Sequence, residues 1–458
     1  MALGTVRTSV LTDIANAIRW QAGVTRLYHP SQMSAAVAAL DGTREGPAGV
    51  EPYMQLEAGV LSSVVFDELG DAIRAQNGSQ TRYAPEDMAA AIRALTWDTG
   101  VKARALLLDD GTLELNWRDG RRSDLGTIVQ CWEVDVAGYG SDMARPWHEA
   151  RAQVRRVVFD ADWAGAGMTN YGYFFHSMTN LVEVVGFEAC SGATCLDHAF
   201  TSCSRLETIW ATSFDGSAIV SAVYPLNGCY RLVGQTGYVA PNSAGAAALS
   251  FGSSGVLTNP AQDQRVWVWG HLYADGELEI TTSSATSALR VVEVSGRICV
   301  NAHYLAVGCA PWYEGRAGLR LCTFKADLAS VTLASLDYWF YSCSSLLLLT
   351  GWENVRGLAS MRQTFNSCSG ISALYLMGLD PSSLADLGFT FASCSGLETI
   401  YVDATWALPT GCSGMGTFYG CARIRGGNGT SYSSSATGCS MMVIDTAGMP
   451  GYLTSSNA

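Results

Sequence analysis

The chain is poor in charge. Asp, Glu, Lys and Arg make up 15% of its 458 residues, against roughly 25% in soluble domains generally. Lysine is almost missing: Lys102 and Lys325 are the only two. The balance is acidic, with a formal net charge of −13, which excludes non-specific attraction to nucleic acid or anionic membrane. No apolar run approaches the ~18 residues of a membrane-crossing helix. The first residues, MALGTVRTSVLTDIANAIRW, lack the apolar stretch and small-residue cleavage site of an export signal. The chain is therefore expected to be made in a cytoplasm without export.

Catalytic signatures are missing too. There is no H-E-x-x-H, G-x-S-x-G, P-loop or G-x-G-x-x-G, and the glycine-rich stretches 233–256 and 411–429 lack the strand–helix setting of a phosphate loop. The six histidines (His29, His148, His176, His198, His271 and His303) form no cluster with zinc spacing. No cofactor or metal is expected. Asp109-Asp110 and Asp160/Asp162 are paired carboxylates of the kind glycosidases use, but their places at a hairpin and a strand end read as turn residues.

What is abundant is small and apolar: 48% hydrophobic residues, 48 glycines and 10% aromatics. Such a chain buries a real core, has room for about three domains at ~150 residues each, and favours turn-rich β architecture. Its organisation comes from internal repeats. At an offset of 55, Asp13–Arg19 matches Glu68–Arg74, and Tyr28, Pro30 and Met33 match Tyr83, Pro85 and Met88. Each copy (1–55 and 56–100) reads as a small module of two short helices, the second ones over 31–40 and 85–95. Helices so short gain stability mainly by packing on something else.

At an offset of 165 the rest of the chain repeats, so that 101–265 and 266–440 are two copies of one larger unit, leaving 441–458 as a C-terminal tail. Asp110-Gly111 and Asp275-Gly276 each sit between apolar runs, which predicts a β-hairpin opening each copy. Between 146–175 and 311–340, 12 of 30 positions are identical, Trp147 and Trp312 among them. Within the copies lies a finer period of 25, 26 or 27 residues. Phe-x-x-Cys-x-x-(Leu/Ile) recurs at Phe200/Cys203, Phe340/Cys343, Phe365/Cys368, Phe391/Cys394 and Phe418/Cys421. Phe175 with Met178, and Leu226 with Cys229, occupy the same slots. This period predicts a solenoid in which each turn supplies one short parallel strand, starting near Leu181, Leu206, Leu232, Leu346, Ile371 and Leu397, with Phe and Cys stacked on their counterparts. The fold class is α+β: helical modules followed by two hairpin-capped repeat solenoids.

Residues 338–346, Gly351–Val355 and Met361–Cys368 resemble the BspA-type leucine-rich repeat proteins over roughly 101–440, although the usual polar spacer is reduced here to sequences such as Asp380–Ala385. The paired N-terminal modules (9–41 and 64–96) resemble small modules of phage tail and virion proteins. The two resemblances together imply a non-enzymatic virion component, a tail-fibre or tail-tip protein. It would anchor to other virion proteins by its N-terminus, present its solenoids to a host-surface protein or glycan, and form a homo-oligomer. A BspA-type surface adhesin and a head fibre or capsid decoration protein are the alternatives.

Trp210, Trp352, Tyr375, Tyr401 and Trp406 lie on or just after the expected strands. As positions pointing away from the core they are candidate receptor-facing aromatics; packing between solenoids or subunits is the other reading. Reduced, buried thiols are the expected state of the 14 cysteines. Pairing of Cys190 with Cys195 is the one disulfide considered.

Overall fold

The computed structural model describes Ile14, Ala17, Ile18 and residues 69–74, 83–93, 101–118, 123 and 125–456. In the N-terminal modules, residues 69–74 and α1 (Pro85–Arg93) are helical, as are Ile14, Ala17 and Ile18. Ile14 and Ile18 are buried, and so are their offset-55 counterparts Leu69 and Ile73, the i, i+4 signature of one apolar helix face. The rest of the first module, its second helix included, lies outside the described residues.

From residue 101 the chain is built of short strands. Strand β1 (Lys102–Leu108) turns at Asp110-Gly111 into β2 (Thr112–Arg118), the expected antiparallel hairpin. Gly111 takes φ +85°, and Asp110 Oδ1 accepts from Thr112 N at 2.8 Å to close the turn. Strand β3 (Ile128–Glu133) adds antiparallel to β1. On the other side β4 (Arg156–Phe159) and β5 (Glu183–Val185) add parallel, with Leu113, Val157 and Val184 in register. Strands β6 (Thr208–Trp210) and β7 (Leu257–Thr258) are parallel partners.

The second copy repeats this order. The hairpin is β8 (Trp267–Tyr273) with β9 (Glu277–Thr281), β10 (Val292–Cys299) is antiparallel to β8, and β11 (Leu321–Phe324) and β12 (Leu348–Thr350) follow in parallel. Strands β13 (Ala373–Tyr375), β14 (Thr399–Val402) and β15 (Leu453–Ser455) complete it, all parallel. The duplication and the parallel stack are thus both present. Sequence reading missed β3 and β10, because neither is flanked by a strong turn signal.

Two boundaries differ from expectation. The chain divides into compact units Met1–Ala199 with Phe214–Ala222, and Phe200–Ser213 with Val223–Ala458, not at 265/266. The coil near 200 explains why: Leu196 N donates to Ser221 O within the first unit, while Phe200 N and Ser202 N donate to Pro225 O and Asn227 O within the second. The expected tail at 441–458 contains the last rung, because the chain leaves the stack after Ile424 and returns as β15, with Tyr452 and Leu453 fully buried. The strand expected near Leu232 is likewise delayed to β7 at 257.

The placement of Cys203 is corrected with the first boundary. Its period puts it in one array with Phe175 and Met178, inside a unit ending at 265. Instead Phe175 and Met178 are buried in the first compact unit, and Phe200, Cys203 and Cys229 in the second. Cys203 does keep the turn geometry of its slot. It is fully buried, its N donates to Phe200 O at 3.0 Å, and its carbonyl accepts from Leu206 N at 3.0 Å. The period fixed the slot but not the unit, since the unit depends on which turn the coil's N–H groups reach.

Inside the second unit the repeat residues form ladders. Phe340, Phe365, Phe391 and Phe418 stack at ring separations of 5.5, 5.8 and 5.5 Å. The thiols of Cys368, Cys394 and Cys421 donate to the carbonyls of Phe340, Phe365 and Phe391 at 2.9, 2.9 and 2.8 Å, and Cys229 does the same to Phe200 at 3.1 Å. Thr364, Thr390 and Thr417 hydroxyls donate to carbonyls one turn earlier. Alternate backbone N–H groups donate to the next turn, as from Leu336, Tyr338, Phe340 and Ser342 to Ser360, Arg362, Thr364 and Asn366.

Each turn of this kind carries two left-handed residues four apart. They are Tyr173/Ser177, His198/Ser202 and Tyr224/Gly228 in the first copy, then Tyr338/Ser342, Gln363/Ser367 and Phe389/Ser393, with Gly416/Gly420 at the end. The Phe-x-x-Cys segments are therefore chained turns, not helix.

Candidate functional site

The five aromatics singled out in the sequence do not share one environment. Tyr375 on β13 and Tyr401 on β14 are register partners on the outer face of the strand ladder. Their rings stack at 5.0 Å and 10°. Tyr375 is 40% exposed and Tyr401 half-buried. This follows from strand alternation: Leu374 and Ile400 beside them point into the core, so their neighbours point out.

Trp352 and Trp406 are corrections. Strand β12 is only three residues long, and Gly351 at φ +83° then turns the chain inward. Trp352 thereby begins a short 3-10 turn with its ring buried against Phe324, 4.9 Å away. Its counterpart 165 residues earlier, Phe187, follows Gly186 at φ +80° and is buried in the same way. Trp406 is also buried, and its Nε1 donates to the Met442 carbonyl at 3.2 Å.

Trp210 on β6 is half-buried in a cation–π cluster. The Arg265 guanidinium lies 5.0 Å from its ring and 5.2 Å from that of Trp267, and Arg297 lies 4.4 Å from Trp267. The Arg265 side chain is fully buried, held by Asp263 at 2.8 and 2.9 Å, by Thr208 Oγ1 at 2.8 Å and by the Val233 carbonyl at 2.9 Å. An arginine so completely bonded and sandwiched is a structural clamp.

The structure adds apolar residues that the sequence reading passed over. Leu321 and Leu348 are register partners on the same outer face, 40% and 37% exposed. One row over, Thr323 and Thr350 face each other, hydroxyl to hydroxyl, at 3.4 Å. Thr350 precedes Tyr375 by one 25-residue repeat, so this row runs from threonines into the tyrosine stack. The signal was available: these are the x positions of the strand pattern, and leucine there has no core to fill.

Of the remaining sequence candidates, Asp160, Asp162 and His271 are held in structural contacts, and His29 lies outside the described residues. Asp162 accepts from Trp117 N at 3.0 Å and from Arg118 Nε at 2.8 Å, and Asp160 pairs with the same arginine. His271 is buried between Ser295 Oγ and the Ser283 carbonyl at 2.8 and 3.0 Å. Among the described residues no group of His, Cys, Asp and Glu has the arrangement of a metal site. All fourteen cysteines are thiols, with no disulfide between Cys190 and Cys195. Burial pushes the thiols of Cys343 and Cys421 up to about 12, so these thiols stay neutral.

Buried Arg145 was also missed. It donates to the carbonyls of Tyr173, Phe174 and His176. These belong to the first turn of the stack, whose carbonyls have no preceding turn to supply N–H donors.

No family model matches the chain, and no curated protein matches it. A solved structure, that of a leucine-rich repeat protein from Eubacterium ventriosum, is similar at 14% identity over 71% of this chain and 94% of that one, with a TM-score of 0.19. On the geometry of its own ladders, this chain is a β-rich repeat protein with a leucine-rich-repeat-like solenoid.

Proposed function

We propose that this chain is a recognition protein without catalytic activity: a phage virion component of the tail-fibre or tail-tip type, held by its N-terminal modules and turning its solenoids toward the host surface. The observation that carries the recognition role is the outer strand face of the second unit, where the register partners Leu321 and Leu348 are exposed and, one row over, the Tyr375–Tyr401 stack presents an exposed and a half-buried ring. Tyrosine contributes large contact area at little conformational cost and is a preferred interface anchor. The virion assignment is supported by the resemblance of the tandem N-terminal modules to those of phage tail proteins.

The test is adsorption of the labelled full chain to bacterial cells. Tyr375→Ser combined with Tyr401→Ser is expected to weaken adsorption strongly, since interface anchors contribute ~2 kcal/mol or more each, while leaving the melting temperature nearly unchanged. Normal adsorption by this variant overturns the assignment of the face. Mass spectrometry of purified particles tests the location. Absence of the chain from particles overturns the virion reading and leaves a BspA-type adhesin using the same face.

A further inference from the structure

A groove opens beside the tyrosine stack, at the last turn of the second unit. It is a cavity of about 490 Å³ lined chiefly by Glu398, Thr399, Arg423, Arg425, Ser431 and Tyr432. Arg423 takes the slot that Gly370 and Gly396 hold in the two preceding turns. A Cβ on either glycine would fall well inside contact distance of the backbone carbonyl of Ser344 or Ser369. Arginine also holds this slot at Arg205 and Arg231 in the first copy, so the stack admits a long side chain there as well as glycine. The ladder bond from Arg425 N to Glu398 O, at 2.9 Å, still holds the turn in register.

The lining is chemically selective. Two arginines face a single carboxylate, in a protein whose net charge is −13. Arg423 is 67% and Glu398 58% exposed, and their ion pair is long, 3.6 Å. Such a pair is weak and yields to a better-placed anion. Arg425 Nη1 donates to Ser431 Oγ at 3.1 Å. A guanidinium carries five N–H donors in a fork that matches a carboxylate. Thr399, Ser431 and Tyr432 complete the lining; the Tyr432 hydroxyl accepts from Gly420 N at 3.2 Å, and it and the Ser431 hydroxyl each keep a proton to donate. Thr399 and Tyr401 are two residues apart on β14, on one face of the strand, so the groove runs directly into the tyrosine stack.

We infer that this groove binds a carboxylate-bearing saccharide: one acid group on the arginines, ring hydroxyls on the threonine, serine and tyrosine. The inference rests on the reading of this face as the recognition surface and gives that surface a ligand class. A sugar acid is favoured over an acidic peptide because hydroxyl partners outnumber the guanidiniums, matching a ring with one carboxylate among several hydroxyls.

Titration calorimetry on the full chain tests it, with trigalacturonate and its methyl ester as paired probes and a poly-glutamate peptide as competitor. The acid is expected to bind at least about tenfold more tightly than the ester, as a charge-assisted bidentate contact implies. Arg423→Gln combined with Arg425→Gln should erase that difference. Both side chains lie at the surface, so the melting temperature should hold. Equal binding of acid and ester, binding of neither, or displacement by poly-glutamate as effective as by the sugar overturns the inference. Adsorption lost in the tyrosine variant but unaffected in the arginine variant would overturn the groove assignment while leaving the recognition face in place.

Discussion

The indole Nε1 of Trp312 donates to the carbonyl of Trp339 at 2.8 Å, and 165 residues earlier Trp147 makes the equivalent bond to Phe174 at 3.4 Å. Each tryptophan is fully buried. Each serves a carbonyl of the first turn in its array, where no earlier turn can donate. The bond is thus part of the cap that lets a solenoid begin.

The residues around this bond have exchanged size between the copies. Trp163 and Phe174 are in ring contact at 6.4 Å, and their counterparts are Leu328 and Trp339, all four buried. Trp163→Leu alone is expected to cost about 2–3 kcal/mol through the cavity it leaves. Adding Phe174→Trp should recover part of that loss, because the second copy packs with this combination. Denaturant unfolding of the two single mutants and the double mutant measures the coupling; strictly additive losses would show that the copies pack differently.

Phe365 is fully buried between Phe340 and Phe391, nearly parallel to both at 5° and 2°. Phe365→Ala should destabilise by ~3–5 kcal/mol. An unchanged melting curve would mean that the stack contributes nothing.

Ser342 sits at φ +57°, a position that glycine holds in the equivalent turns at Gly228 and Gly420. A left-handed conformation costs a non-glycine residue ~1–3 kcal/mol, and a β-branched one most. Ser342→Gly should be neutral or slightly stabilising, and Ser342→Val clearly destabilising. Equal thermal stability of the two variants would contradict the turn geometry.

The ladder thiols should be inert in the native protein. Burial holds Cys343 and Cys421 near 12 and pushes Cys368 well above its ordinary value, so almost no thiolate exists at neutral pH. A thiol reagent such as DTNB should titrate them only on unfolding, after the partly exposed Cys131, Cys195, Cys412 and Cys439. Rapid labelling of Cys368 without unfolding would refute this.

His303 Nδ1 lies 3.2 Å from Oδ2 of the buried Asp337. That hydrogen bond, together with the negative charges of Asp337 and Asp386, raises the imidazole above its ordinary value. The protonated form is favoured in the folded state. The resulting stability is full below the unfolded value of ~6.5 and fades as pH rises through the raised folded value. Melting temperature followed from pH 6 to 8 should fall slightly more steeply in the wild type than in His303→Gln; parallel profiles would exclude the linkage.

The repeat pattern alone determined the duplication, the parallel rungs and the Phe and Cys ladders. A solenoid places residues one period apart in direct contact, so periodicity in sequence is contact in space. Local turn chemistry such as Asp110-Gly111 was equally legible, because its hydrogen bonds close within a few residues. Only the tertiary structure decided which aromatics face solvent. Trp352 and Tyr375 both sit at or just past a strand, but the left-handed turn at Gly351 carries one inward while strand alternation leaves the other outside. The unit to which Cys203 belongs, the delayed strands β7 and β15, the capping role of Arg145 and the groove at Arg423 were likewise decided in three dimensions. All of them arise where a stack begins, divides or ends, and there the neighbour that periodicity presumes is missing.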